Sequence, residues 1–463
     1  MHLLDLPVEL MHMVLLEAII SRGMTRALRL KLVCKQFYNC FQPALFESRV
    51  LDDFGVIPLY KDLGFMELWY VRKQYGAADL WHSYLVYRVL NENDIENINV
   101  RFPVEVGRLA EHFCCQTEAG YMEMINTLCW LALERYVEML GGWEERLHDG
   151  EDLNLGQSLL SLAAYLGNLT LAERLLSEGH CPTVDNHLTP SPMQLATWAG
   201  NVDMLKLFQE YLPDFEDISF ELNSWRSKTG PGSIKGASMR GDINILRLAI
   251  YPPSRATPDS DGFAGYPYGH VDPFSKQGRD LQSALLCAKN PATFQYIQAF
   301  FEDSKLDNQY LLVRYAELGN VDMVRYLPDQ GADINGGEKL NCNPLSCAAR
   351  YWHEDVVDLL LERGADPNYQ TMQQRGSPLR AAAMSGSLAI VRKLIDRGAK
   401  PAKNDWWPLL EALRLEHTAM ATLLLDLNIA DAAARSRILQ KTLDLGLESM
   451  AQLLQERDVS LQS

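Results

Sequence analysis

The sequence predicts an all-α protein in which a solenoid of stacked helix pairs follows a smaller helical module. A glycine or its substitute recurs at Gly167 and Gly200, 33 residues apart, and at Gly319, Trp352 and Gly386, 33 and 34 residues apart. Because 463 residues exceed the ~250 to 300 of a single compact core, a repeat architecture or several domains is expected. A second glycine follows most of these markers after twelve residues, at Gly179, Gly331, Gly364 and Gly398.

Each repeat has the residues of a helix, a turn, a second helix and a second turn. "SPMQLATWAGN" from Ser191 and "NPLSCAARYWH" from Asn343 begin with an N-cap residue followed by proline in the first turn. The marker glycine permits a tight turn, and stretches such as "VVDLLLERG" are apolar at i, i+3 and i+4. Small residues let the first helices approach their neighbours, namely Ala163, Ala164, Ala196, Ala348, Ala349 and Ala382.

These segments resemble ankyrin repeats, with "SPLRAAAMSGS", "GADPN" and "GADIN" matching most of the family's T-P-L-H-x-A and G-A-D-x-N patterns. The resemblance covers residues 151–463 in about eight or nine units. Clear units start near residues 156, 189, 308, 342 and 375, and weaker ones start at Gly232, Leu281, Trp407 and Leu439. The family's motif histidine is replaced by Ser161, Gln194, Ser346 and Arg380.

A stacked solenoid of this kind binds partners on the face formed by its first helices and projecting turns. Large aromatic residues at such positions anchor interfaces, although each can equally serve the core between degenerate repeats. The candidate residues for binding an unidentified target protein are Tyr165, Trp198, Tyr351, Trp352, Trp406 and Trp407.

The first fifty residues lie outside the repeat period and form a separate helical module. Pro7 suits a helix start, and the helix to about Ser21 is apolar except for a narrow polar stripe. Fifty residues make a marginal core, so the following region or a partner must cover part of this helix.

"LPVEL", an apolar helix and then "LVCKQF" resemble the F-box, a module by which adaptor proteins dock on the Skp subunit of cullin-RING ubiquitin ligases. The alternative is an N-terminal cap folded onto the solenoid. The whole chain is similar to F-box-like ankyrin proteins common in filamentous fungi. The resemblance implies Skp docking through Leu6, Pro7, Glu9, Leu10, Val33, Cys34, Phe37, Leu45 and Phe46.

Two regions carry weaker signals. Residues 51–150 contain aromatic helix-like stretches and predict a helical connector. Residues 251–280 hold nine Pro or Gly among thirty residues and predict a long loop, either disordered or functional.

Charge and composition exclude several function classes. A net charge of −17 disfavours nucleic acid and anionic membrane surfaces as partners. The apolar run from Leu10 to Ile20 is shorter than the ~20 residues that span a bilayer. Nine scattered cysteines without a C-x-x-C pair suit reduced thiols, so we expect a cytoplasmic or nuclear location.

The sequence lacks the motifs that an active site or a metal site would need. In "GADINGGEK", Gly337 stands where a P-loop requires lysine, and no G-x-S-x-G or H-E-x-x-H motif occurs. We therefore expect no catalysis, no metal and no cofactor. The sequence favours an adaptor that brings a target protein to a ubiquitin ligase, with an ankyrin scaffold lacking a ligase role as the alternative.

Overall fold

The computed structural model describes thirteen ranges of the chain, and every regular element in them is an α-helix. The chain divides into two compact units, one of residues 79–307 and the other of residues 1–78 together with 308–463. Val33 and Cys34 lie outside the described residues. The described residues are 6–22, 35–53, 77–92, 98–138, 154–185, 189–212, 231–250, 276–301, 308–336, 343–369, 377–401, 406–427 and 429–462.

The N-terminal module consists of α1 (Val8–Arg22), α2 (Lys35–Glu47) and the short α3 (Val50–Asp53). The Pro7 carbonyl accepts the N–H of Met11 at 2.9 Å, which starts α1 where the sequence predicts it. Three residues spaced four apart, Met11, Leu15 and Ile19, form the fully buried face of α1, and α1 packs against α2. His12 Nε2 lies 2.6 Å from the carboxylate of Glu47 and joins the two helices.

Three helices precede the repeats: α4 (Ala77–Asn91), α5 (Ile98–Gln116) and α6 (Tyr121–Glu138). α5 packs against α6 and also against the first repeat helix, α7 (Leu155–Leu166). His82 of α4 stacks on Trp130 of α6 with ring centroids 4.4 Å apart. The helices of this region therefore continue directly into the packing of the first array.

The first array contains four helix pairs, and its first helices α7, α9, α11 and α13 pack in a row. Gly236 allows α11 to lie close to α9, because a Cβ at this position would lie 2.2 Å from the carbonyl oxygen of Gln194. The remaining helices are α8 (Leu169–Ser177), α9 (Pro192–Ala199), α10 (Val202–Tyr211), α11 (Pro231–Arg240), α12 (Ile243–Ile250), α13 (Lys276–Leu286) and α14 (Pro291–Gln298).

The second array contains five helix pairs, and its first helices α15, α17, α19, α21 and α23 pack in a row. Ion pairs join second helices, as where Lys393 Nζ lies 2.6 Å from Asp358 and 3.3 Å from Glu354. The helices are α15 (Asn308–Glu317), α16 (Val321–Asp329), α17 (Pro344–Arg350), α18 (Glu354–Glu362), α19 (Pro378–Ser385), α20 (Leu388–Asp396), α21 (Trp407–Arg414), α22 (Thr418–Asp426), α23 (Ala432–Asp444) and α24 (Glu448–Gln462).

The predicted helix–turn–helix pattern is confirmed, with nine helix pairs in the described part of the chain. Ser191 and Ser377 cap α9 and α19 through their side chains, each with proline following in the first turn. Trp352 adopts a φ of 61° in the place of a marker glycine, so the turn keeps its left-handed backbone without glycine there. The predicted small residues of the first helices are all fully buried.

One boundary differs from the sequence expectation. α13 begins at Lys276, so the last five residues of the predicted loop 251–280 are helical. The single glycine in this stretch, Gly278, is tolerated because α13 packs against α11, and tertiary packing outweighs the weak propensity of one residue. Residues 251–275 lie outside the described ranges.

Candidate protein-binding surfaces

The outer face of α1 is an exposed apolar surface. Leu10 is 47% exposed and Met13 63% exposed, and Val14 and Ile20 are also exposed. With Leu10 as position i, these residues stand at i, i+3, i+4 and i+10, on the side of α1 opposite its buried face. A helix that is apolar on both sides leaves one side for a partner.

The predicted Skp-docking residues divide between this outer face and the interior. Pro7, Glu9 and Leu10 are exposed, and Leu6 is half-buried. Phe37, Leu45 and Phe46 of α2 are buried, so their side chains are covered in this structure. Of the seven predicted docking residues that the structure describes, the four at the start of α1 therefore lie on the accessible side of the module.

In the first array, two predicted target-binding residues come together. Tyr165 and Trp198 lie at the C-terminal ends of α7 and α9, with ring centroids 6.1 Å apart. Both side chains are half-buried. Trp198 also borders an open depression of about 570 Å³ whose other lining residues include Arg240 and Lys289.

At the same end of the first helices, side chains of one repeat cap the carbonyls of the repeat before it. Asn201 Nδ2 donates to the carbonyls of Ala164 and Tyr165 at 2.8 and 2.9 Å. Arg240 Nη1 donates to two carbonyls at the end of α9, at 3.1 and 2.8 Å. Because the last carbonyls of a helix have no partner within it, these bonds hold neighbouring repeats in register.

In the second array, Tyr351 and Trp352 are adjacent but differ in accessibility. Tyr351 is buried in the core, whereas Trp352 is exposed and donates its Nε1–H to the carbonyl of Ser385 at 2.7 Å. His353 Nε2 donates to the carbonyl of Glu317 at 2.8 Å, and burial lowers the pKa of this imidazole. Only Trp352 of the pair is accessible to a partner.

Trp406 and Trp407 form a separate aromatic surface at the start of α21. Their rings stack at a centroid distance of 5.3 Å and an interplanar angle of 9°. The guanidinium carbon of Arg380 lies 5.4 Å from the Trp407 ring, and Lys441 Nζ lies 5.0 Å from the Trp406 ring. This group is called the tryptophan cluster below.

The cations of these surfaces were missed in the sequence predictions. Arg240, Lys289 and Lys441 do not belong to any motif of the sequence. Arg380 was noted only as a replacement for the motif histidine. Its position at the third residue of α19 is in register with the start of the next repeat, and that register is the signal that could have placed it beside Trp407.

Within the described ranges, no group of His, Cys, Asp and Glu residues is arranged to hold a metal ion, and the described cysteines are free thiols. Burial raises the pKa of Cys129 to about 12. In the same ranges, no helix combines the length and the apolar character that a membrane span needs.

Stacked helix–turn–helix pairs with this period define a helical repeat protein, a class that works by binding other proteins. The model of the family described as ankyrin repeats matches residues 283–371 as three copies. Ankyrin repeats are therefore present in this chain, and they indicate a role in protein–protein interaction.

The proteins that are similar to this chain differ in the activities that their names give. The ankyrin repeat and KH domain-containing protein mask-1 of Caenorhabditis elegans is 29% identical over 261 residues, 53% of this chain and 10% of mask-1. Palmitoyltransferase AKR1 of Lachancea kluyveri is 45% identical over 64 residues, 13% of this chain and 8% of that protein. The human 2-5A-dependent ribonuclease is 33% identical over 86 residues, which are 18% of this chain and 12% of the ribonuclease. The chain thus spans a small part of each relative.

Proposed function

We propose that this protein is an adaptor that brings a target protein to a Skp–cullin–F-box ubiquitin ligase. The N-terminal module binds the Skp subunit, and the ankyrin arrays hold the target. The mechanism is proximity: both partners are held on one chain, which raises their effective concentration for ubiquitin transfer by other subunits.

The exposed apolar face of α1 carries this proposal. Leu10, Met13 and Val14 lie on one side of α1 while Met11, Leu15 and Ile19 pack inward, so the face is available without unfolding the module. The F-box-like residues Leu6, Pro7 and Glu9 adjoin it. The burial of Phe37, Leu45 and Phe46 favours the alternative, an ankyrin scaffold with no ligase role, because these residues serve the core of the module.

Co-purification of the full chain with a purified Skp subunit tests the proposal. Leu10→Asp places a charge in the exposed face, and we expect it to abolish capture. Leu445→Asp is the matched control, because Leu445 is 48% exposed on the terminal helix pair and has the same chemistry. Far-UV circular dichroism verifies that both variants keep their helices.

Capture by the wild type and by Leu445→Asp, with loss in Leu10→Asp, supports docking through α1. A Leu6→Ala, Pro7→Ala variant extends the test to the start of the motif. Equal capture by the wild type and Leu10→Asp, or no capture by the wild type, rejects the docking face and leaves the scaffold as the better reading.

A further inference from the structure

We propose that the tryptophan cluster is a docking site for an acidic peptide segment that also carries a large apolar side chain. The inference rests on the proposed target-binding role of the ankyrin arrays. It adds the position of a binding site and the chemistry of the target segment.

The aromatic part of the cluster is a flat and accessible platform. Trp407 is 41% exposed, and its ring is stacked nearly parallel to that of Trp406. Pro408 beside them is buried, which fixes the pair at the start of α21. Exposed tryptophans on a rigid element are the residues that most often anchor protein interfaces.

The cationic part comes from the helix pairs on either side. Arg380 belongs to α19 and Lys441 to α23, and Lys441 Nζ lies 5.0 and 5.6 Å from the two indole centroids. Neither side chain forms an ion pair with the residues that the structure describes, and the Nε of Arg380 is buried without a hydrogen-bond acceptor. Within the described ranges, two cations that no carboxylate pairs with therefore flank the apolar platform.

The cluster contrasts with the rest of the chain, whose net charge is −17. A carboxylate of a bound peptide can pair with Lys441 or Arg380 at the edge while a neighbouring apolar side chain covers Trp407. A nucleic acid suits the site less well, because two cations neutralise few phosphates and the overall field repels a polyanion.

Fluorescence anisotropy with the full chain tests the inference. The probe is a labelled peptide of about twelve residues that alternates Glu and Tyr, and two control peptides replace every Glu by Gln or every Tyr by Ser. The variants are Arg380→Gln, Lys441→Gln and Trp407→Ala. Arg392→Gln is the matched control, because Arg392 is an exposed cation on α20, the second helix of the same repeat as Arg380.

We expect Arg380→Gln and Lys441→Gln each to weaken binding of the Glu–Tyr peptide about threefold or more, and Arg392→Gln to leave it unchanged. Trp407→Ala should weaken it about tenfold. Both control peptides should bind more weakly than the probe. Lys441→Gln alters an exposed side chain, so the test does not depend on the folding of Trp407→Ala.

Three results would overturn the inference: a Glu peptide that binds no more tightly than the Gln peptide, an equal loss in Arg392→Gln, or stronger binding of oligothymidine at the cluster. If peptide binding fails while Skp capture through α1 persists, only this inference falls. If Skp capture fails while the peptide still binds, the ligase role falls and the docking site stands.

Discussion

The position that begins the second helix of each repeat offers a sharp test of how the repeats are joined. Asn168, Asn201 and Asn290 all occupy this position, but their side-chain amides form different hydrogen bonds. Asn168 Oδ1 accepts the N–H of Leu171 in its own helix at 3.0 Å. Asn201 instead donates two bonds to the preceding repeat, and its side chain does not cap α10. Asn290 does both, accepting from Thr293 and donating to the carbonyl of Gly241 at 2.9 Å.

Replacing each asparagine by aspartate keeps the acceptor and removes the donor. Asn168→Asp should change the free energy of unfolding by less than about 0.5 kcal/mol, since Asp and Asn are equal N-caps. Asn201→Asp loses two hydrogen bonds and should destabilise the array by about 1–3 kcal/mol. Asn290→Asp loses one hydrogen bond, and its destabilisation should lie between those of the other two variants, at about 0.5–1.5 kcal/mol.

Urea unfolding followed by circular dichroism measures the difference. With an m value of about 1–3 kcal/mol/M, the loss in Asn201→Asp shifts the midpoint by roughly 1 M. Hydrogen exchange over residues 158–170 reports the local effect, because each 1.4 kcal/mol raises exchange of protected amides about tenfold. If Asn201→Asp is as stable as Asn168→Asp, or if Asn168→Asp is the least stable, the assignment of these bonds is wrong.

Three further predictions concern single positions. Trp352→Ala should be less stable than Trp352→Gly by about 1 kcal/mol in thermal melts. Both variants lose the hydrogen bond to Ser385, but only glycine accepts a φ of 61° without strain. Equal melting temperatures of the two variants would contradict this reasoning. Gly236→Ala should destabilise the first array by about 1–3 kcal/mol in urea, since its Cβ would meet the Gln194 carbonyl. Gly107→Ala controls for the clash, because Gly107 is also helical and its Cβ would come no nearer than 3.5 Å to a neighbouring atom. Burial lowers the pKa of His353 in the folded protein, so the contribution of neutral His353 to stability is complete above the unfolded pKa of about 6.5 and is lost as pH falls below that value. His353→Gln should therefore flatten the fall in melting temperature between pH 7 and pH 5. An unchanged dependence of melting temperature on pH would contradict the lowered pKa of His353.

The period of the sequence was enough to predict the helix pairs, because each marker has a local physical cause. Ser377 caps a helix wherever it stands before proline, and the left-handed turn at Gly386 needs only glycine. The same logic identified Trp352 as a glycine substitute from spacing alone.

Side-chain accessibility could not be predicted in this way, because it depends on distances between repeats. Tyr351 and Trp352 are adjacent in the sequence, yet one is buried and the other exposed. At the N-terminus, the motif spacing grouped Leu10 with Phe37, whereas packing of α1 on α2 separates an exposed face from a core.

The histidines that begin α18 and α22 show why residue type alone does not define a role at a repeat position. His353 uses Nε2 to donate backward to the carbonyl of Glu317, while His417 uses Nδ1 to accept the N–H of Met420 in its own helix at 3.2 Å. Burial disfavours the charged form of the His353 imidazole, whereas the hydrogen bond from its Nε2–H to the Glu317 carbonyl favours that form. Desolvation is the larger of the two effects, so the pKa of His353 is lowered, and the His353→Gln variant removes both effects together.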